Sequence, residues 1–220
     1  MKAINHLGKE NSIFNHFISE IRSENFQKDS MRFRRNMERI GEIFAYEISK
    51  VMDYQTEEIV TPLGISNMKL LHSQPILATI LRAGLPLHQG ILNYFDKADN
   101  AFISAFRKHY LDGTFEIQID YMSAPVITDR ILILSDPMLA TGKSMYLAYQ
   151  ELLSNGKPRH THFVSAIAST QGVEYLQSKL SPSKCTIWVG AIDEELTAQS
   201  YIVPGLGDAG DLAYGLKTSD

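Results

Sequence analysis

ILILSDPMLATGKSMYLAYQ, residues Ile131–Gln150, joins four aliphatic residues to a short polar loop and then to an amphipathic segment. The aliphatic run reads as a strand buried on both faces, as in a parallel sheet, and the amphipathic part reads as a helix from Ser144 to about Leu153. A strand, a tight loop and a helix N-terminus together make an anion site. Unpaired backbone N–H groups point outward there, and the helix dipole adds partial positive charge. Ala140, Thr141 and Gly142 are small enough to let a phosphate reach the backbone, and Thr141 and Ser144 add hydroxyl donors.

Gly142-Lys143-Ser144 invites comparison with the ATP loop, which requires a further glycine five residues before Gly142. That position is Pro137, which has a fixed φ and no N–H. The ATP loop is excluded. Asp136 gives a different meaning to the same loop. A carboxylate beside a bound phosphate repels it unless it faces hydroxyls or a metal, and a ribose diol offers two O–H donors for strong charge-assisted bonds. The loop therefore reads as a phosphate held at the helix end and ribose hydroxyls held by Asp136.

Outward from this stretch the chain alternates strands and helices. Strands are expected at 75–81, 101–107, 163–168 and 186–189, with helices from Pro86 to Phe95 and from about Gly172 to Leu180. Ahead of them, Ile13, Phe14, Phe17, Ile18 and Ile21 are spaced as one face of a helix. Asp29-Ser30 opens a longer helix lined by Phe33, Met37, Ile40, Phe44, Ile48 and Val51. Pro62-Leu63-Gly64 marks a hairpin within Thr56–Leu71, and Asp112-Gly113 marks a second within Lys108–Pro125, a dimer arm or a lid. The tail from Ile192, with Gly205, Gly207, Gly210 and Gly215, reads as irregular. The expected fold is α/β, a mostly parallel sheet flanked by helices, in a single domain over residues 1–220: N-terminal helices 11–51, core 72–190 and C-terminal segment 191–220. Ligands of such sheets bind at the carboxyl ends of strands, and Arg82, Arg107 and Asp136 each follow a predicted strand.

Taken with these partners, Ser135–Ser144 resembles the phosphoribosyl-diphosphate loop of type I phosphoribosyltransferases, and Asp-Pro-Met-Leu-Ala-Thr-Gly is the form seen in their uracil-specific family. Ile80-Leu81-Arg82-Ala83-Gly84-Leu85 resembles that family's pyrophosphate loop, and Arg107 a second pyrophosphate arginine. Tyr201-Ile202-Val203-Pro204-Gly205-Leu206-Gly207-Asp208-Ala209-Gly210-Asp211 resembles its uracil-binding segment. The resemblance runs from about Met31 to Gly215. It implies transfer of 5-phosphoribose from phosphoribosyl diphosphate to uracil, giving UMP and pyrophosphate, with Asp136, Arg82 and Arg107 as catalytic residues. It also implies that Pro137, Met138, Leu139, Ala140, Thr141, Gly142, Lys143 and Ser144 line the donor substrate. Tyr201, Ile202, Gly207, Asp208 and Ala209 would meet the base, with Asp208 also near the diphosphate through metal or water. Mg²⁺ held mainly by substrate oxygens and a homodimer belong to the same implication.

The sequence departs from that pattern in several places. Lys143 replaces a glycine, and its side chain is expected to point to solvent. Lys108-His109-Tyr110 stands where acidic residues and threonine are usual. Ser200 replaces a glycine before Tyr201, Pro86-Leu87 replaces smaller residues, and no basic residue follows Asp211 directly.

Bulk composition agrees with a folded chain with a well-filled core. The 220 residues are 44% hydrophobic and 21% charged, and the formal net charge of −4 argues against general affinity for nucleic acid. No apolar run is long enough for a membrane span, and MKAINHLGKENS lacks a signal core, so a soluble cytoplasmic protein is expected. The single cysteine, Cys185, lies in an apolar run and reads as a buried strand thiol. His160 and His162 read as solvated residues on a strand edge, and Arg32, Arg34, Arg35 and Arg39 as a solvated helix surface.

Overall fold

A computed structural model describes residues 4–109 and 115–217, with side chains described for all of these except 106–109 and 115–118. In chain order the elements are β1 (Ile4–His6), α1 (Phe14–Arg22), α2 (Glu24–Gln27), α3 (Ser30–Ser49), β2 (Tyr54–Thr61), β3 (Gly64–Leu71), β4 (Ile76–Leu81), α4 (Leu85–Leu92), β5 (Asp99–His109) and β6 (Phe115–Ser123). They continue as β7 (Ile131–Ser135), β8 (Met138–Leu139), α5 (Lys143–Leu152), β9 (His160–Ser169), α6 (Thr170–Lys179), β10 (Cys185–Asp193), β11 (Glu195–Leu196), β12 (Ile202–Val203) and α7 (Ala209–Tyr214).

The central sheet runs β1-β10-β9-β7-β4-β5-β6, with β8 added to β9. Every pairing is parallel except β5 with β6. Strand residues alternate between two cores, as the two-residue period of a strand requires. Leu77, Ile133, Val164 and Trp188 pack with Phe14 and Ile18 of α1, with Phe33, Met37, Ile40 and Phe44 of α3, and with Leu87 and Ile91 of α4. Ile76, Ala78, Leu132, Leu134, Phe163, Ile187 and Val189 pack on the other face with Met145, Ala148 and Leu152 of α5 and Val173 and Leu176 of α6. Both faces are covered, which is why these strands are almost continuously apolar.

α3 begins at the expected cap: the Asp29 side chain accepts the Arg32 amide at 3.0 Å. Its buried face is the expected one except at Val51. The helix ends at Ser49, so Val51 lies past its face and is 58% exposed. Ile13 likewise precedes the first turn of α1 and is exposed. The arginines of α3 divide. Arg32 pairs with Glu20 at 2.6 Å and Arg35 with Glu38 at 2.7 Å on the surface, whereas Arg34 is half-buried and donates to the Ala213 carbonyl of α7 at 2.6 Å. The chain tail thus removes Arg34 from the solvated surface expected for it.

His162 also departs from expectation. β9 lies between β10 and β7, so it is not an edge, and His162 is buried, accepting the Trp188 indole N–H at 3.0 Å. Burial, with His160 beside it, lowers its pKa to about 3. The tail is more ordered than its glycines suggested. β11 and β12 pair antiparallel, and α7 packs on α3 through Ala209 and Ala213. Cys185 is buried in β10, as expected. No helix among the described residues is long and apolar enough to cross a membrane.

β2 and β3 form the expected hairpin with Pro62-Leu63 at its turn, standing apart from the main sheet. The second hairpin is β5 with β6; the turn expected at Asp112-Gly113 lies outside the described residues.

Candidate active site

The parallel strands end together. Thr79 of β4 is opposite Ser135 of β7, Leu81 is opposite Ser104 of β5, and Ser135 is opposite Val164 of β9. Arg82 and Asp136 therefore leave the sheet on one rim. β5 continues past Ser104, so the Arg107 backbone, paired with Ile117, lies beyond the end of β4 and toward the turn end of the β5–β6 hairpin. The Arg107 side chain falls outside the described residues.

The loop from Asp136 to Gly142 is braced along its length by β9 and α6. The Asp136 amide donates to the Val164 carbonyl at 3.0 Å, and the Ser165 hydroxyl donates to the Asp136 carbonyl at 2.7 Å. The Ile167 amide donates to Pro137 O at 3.0 Å, and the Ser169 hydroxyl to Ala140 O at 2.5 Å. Met138 and Leu139 pair with Ile167 and Ala168 as an added strand. Gly142 then turns with φ +77° into α5, a conformation that favours glycine. Gly172 of α6 lies so close beneath the loop that a methyl group there would press on the carbonyls of Leu139 and Ala140. Lys143, first residue of α5, is exposed, and its amide donates to the Thr141 hydroxyl at 3.4 Å.

Asp136 is only partly open to solvent. Burial raises its carboxyl to about 7 from an ordinary 3.8, against the small opposing effect of the Met138 amide, which donates to Oδ1 at 3.4 Å. A carboxyl so placed lacks a partner for its charge and is ready for one: ligand hydroxyls or a cation.

The tail closes over the same rim. Asp208 caps α7, its Oδ1 accepting the amides of Gly210 at 2.9 Å and Asp211 at 3.0 Å, while Lys217 reaches Oδ2 at 3.1 Å. Burial alone would raise this carboxyl, but the two amides and Lys217 outweigh it and hold the pKa below its usual value. Lys217 thus supplies, further along the chain, the basic neighbour absent just after Asp211. Arg82 Nη2 lies 3.3 Å from both Asp211 Oδ1 and Gly215 O, and an added methyl on Gly210 would come within 3.8 Å of Ala83 and of Arg82. The loop after β4 and the tail segment are therefore in contact. Ile202 and Ala209 are buried, whereas Tyr201 and Gly207 are exposed at the segment's surface. Ser200 adopts φ +64°, a left-handed conformation that fits the glycine more usual at this position.

Of the residues expected at a site, Arg82, Asp136–Ser144 and Tyr201–Ala209 converge. Sequence reading missed Ser165, Ser169 and Gly172, which brace the 136–142 loop from a separate strand and helix, and Arg22 and Asp193, which reach Gly205. A glycine three residues after a serine at a helix start hinted at Gly172; nothing marked Arg22.

A family model described as uracil phosphoribosyltransferase matches residues 9–216. A uracil phosphoribosyltransferase of Porphyromonas gingivalis is 55% identical over 212 residues, covering 96% of this chain and 98% of its own. One from Methanothermobacter thermautotrophicus is 36% identical over 190 residues, covering 85% of each. The solved structure of the AQ2163 protein from Aquifex aeolicus superposes with a TM-score of 0.85 at 30% identity, covering 98% of this chain and all of its own. Matched over nearly its whole length by that family model and by relatives of 36–55% identity, the chain belongs to the uracil phosphoribosyltransferase family.

Proposed function

We propose that this chain transfers 5-phosphoribose from phosphoribosyl diphosphate to uracil, forming UMP and pyrophosphate. The observation that carries the reading is the contact between the Arg82 loop and the α7 end of the tail, on the rim that also holds Asp136. Base and leaving group must lie on opposite sides of one sugar carbon, and the contact of Arg82 with Asp211 and Gly215 supports a shared site for the two segments.

In this reading the 5-phosphate sits on the backbone of residues 137–144, within reach of Thr141 and Ser144, and Asp136 accepts the two ribose hydroxyls. Arg82 and Arg107 hold the pyrophosphate oxygens, with Arg82 exchanging Asp211 and Gly215 for substrate. The bond from the ribose C1 to pyrophosphate breaks, a uracil ring nitrogen bonds to that carbon, and the proton on that nitrogen leaves to water. Positive charge develops on the sugar during the transfer, so positioning and electrostatics supply the catalysis and no protein nucleophile is needed. Uracil is read by main-chain groups of Ile202, Gly207 and Ala209, with Tyr201 and Asp208 beside it. The Asp208 carboxylate takes the amides of Gly210 and Asp211, which leaves the Ala209 amide for the base.

Mg²⁺ fits this site as a substrate-borne ion. The carboxylates of Asp136 and Asp208 are hard oxygen donors, and among the described residues no cluster of three or more metal-ligating side chains would hold a cation alone. Bound to diphosphate oxygens, the ion disperses the leaving group's charge. A cytoplasmic location and a homodimer complete the reading. The β2–β3 hairpin, where Val60 and Leu63 are 85% and 100% exposed, offers apolar surface for a second copy.

The test is product formation from phosphoribosyl diphosphate and Mg²⁺ with uracil, cytosine, hypoxanthine or orotate in turn. UMP from uracil, with at least hundredfold less product from the other bases, is expected. No product from any base would overturn the reading.

A further inference from the structure

Arg22 ends α1, and Asp193 ends β10 on the same rim as the candidate site. They form a two-bond ion pair, Arg22 Nη1 to Asp193 Oδ2 and Arg22 Nη2 to Asp193 Oδ1, each 2.8 Å, with Asp193 buried and Arg22 largely so. The same two groups take both polar atoms of one peptide residue. Arg22 Nη1 donates to the Gly205 carbonyl at 3.1 Å, and the Gly205 amide donates to Asp193 Oδ2 at 2.9 Å.

Gly205 lies midway along the segment that reads the base. It turns with φ +54°, and a side chain there would strike the Ile202 carbonyl. With its N–H and C=O both held, this residue cannot rotate. It fixes the relative positions of Ile202 before it and of Gly207 and Ala209 after it. A buried ion pair adds little net stability compared with apolar packing, so its use in orientation is the more telling property. The planar guanidinium suits this use because its rigid fork makes two parallel bonds to the carboxylate while also reaching the carbonyl, a geometry that the point-like ammonium cannot reproduce.

We propose that Arg22 and Asp193 are positioning residues for base recognition: a clamp on Gly205 that sets the main-chain groups meeting uracil. This rests on the assignment of the tail segment to uracil. The donor-substrate loop at 136–144 has its own braces in β9 and α6, so the clamp acts on the base side of the site.

The experiment uses Arg22→Lys and Asp193→Asn in the full chain, with kcat and the KM for each substrate measured separately and folding followed by circular dichroism. Each variant is expected to raise the uracil KM about tenfold, with the phosphoribosyl-diphosphate KM and kcat within about threefold of the parent. The double variant is expected to be no worse than the poorer single one, since Gly205 is released once. Ala209→Pro is measured alongside; it removes one main-chain donor at a first helical position, where proline is tolerated. An elevated uracil KM in Ala209→Pro, with no change in Arg22→Lys and Asp193→Asn, overturns the clamp and leaves the base assignment standing. An unchanged uracil KM in Ala209→Pro overturns the base assignment itself. Equal losses in all kinetic constants, or failure of both conservative variants to fold, would make the pair a structural one and overturn the clamp.

Discussion

The loop after β7 and the segment after β10 face each other across one rim, and they are held in different ways. Residues 136–142 hang on β9 through a nearly continuous ladder of backbone and serine bonds, all to residues 164–169, with Gly172 of α6 packed beneath. Residues 195–214 have two short strands and a six-residue helix of their own, and are tied down from afar by Arg22 to Gly205 and Arg34 to Ala213. In the proposed reading the loop holds a phosphate group, alike in every donor substrate, and a rigid backbone cradle suffices for it. A planar base must enter and leave, and a segment pinned at a few points accommodates that while keeping its donors aligned.

The sharpest way to break this contrast is at Asp136. The unfolded chain releases the Asp136 proton near the ordinary carboxylate value, while the folded chain keeps it to about 7. Folding is therefore penalised progressively as pH rises from about 4 to 7, and the penalty is fully present above 7. Asp136→Asn is expected to cut kcat/KM by a hundredfold or more, yet to unfold about 1–2 kcal/mol less readily than the parent at pH 8 and equally at pH 4. Thermal melts at the two pH values check this. Equal melting temperatures at both would mean that the carboxyl is not held against its charge. In the parent, the acid limb of kcat/KM is expected to fall below about pH 7, where free Asp136 becomes protonated.

A second variant probes the bracing directly. Gly172→Ala places a methyl against the Ala140 and Leu139 carbonyls, so the loop must shift. Overpacking of this kind costs about 1–3 kcal/mol. The KM for phosphoribosyl diphosphate is expected to rise about tenfold with little change for uracil, the reverse of the pattern set out for Arg22→Lys. A matching rise for both substrates would show that the two regions are mechanically coupled.

The smallest effect belongs to Ser200, at the entrance to the base segment. Its left-handed backbone strains a side chain, and Ser200→Gly relieves that strain while adding freedom to the unfolded chain. A net gain of up to about 1 kcal/mol is expected in denaturant melts, with unchanged kinetics. A loss of stability would mean that the Ser200 side chain contributes contacts that outweigh the strain.

Much of the site was legible in contiguous residues. The strand at 131–135 and the helix after Gly142 followed from periodicity, and Pro137 and Asp136 together separated a phosphoribose loop from an ATP loop. Element boundaries shifted by a few residues because propensity fades where tertiary contacts set the ends. β10 runs to Asp193 rather than Val189 since it pairs with β9 along its full length. His162 was misread because nothing in its own segment says that β9 is interior. The tail was misread as irregular because its glycines hide a helix whose cap is Asp208 and whose burial depends on α3.

By itself, then, the sequence determined the individual strands of the parallel sheet, the loop after β7 and the tail motif, since each is written within some ten to twenty adjacent residues whose local periodicity and turn chemistry are self-sufficient. Only the tertiary structure decided which distant side chains steady them. Arg22 meets Gly205 across 183 positions of chain. A contact of that kind depends on how the sheet and helices stack, and so on many residues at once, none of which marks the pair in advance.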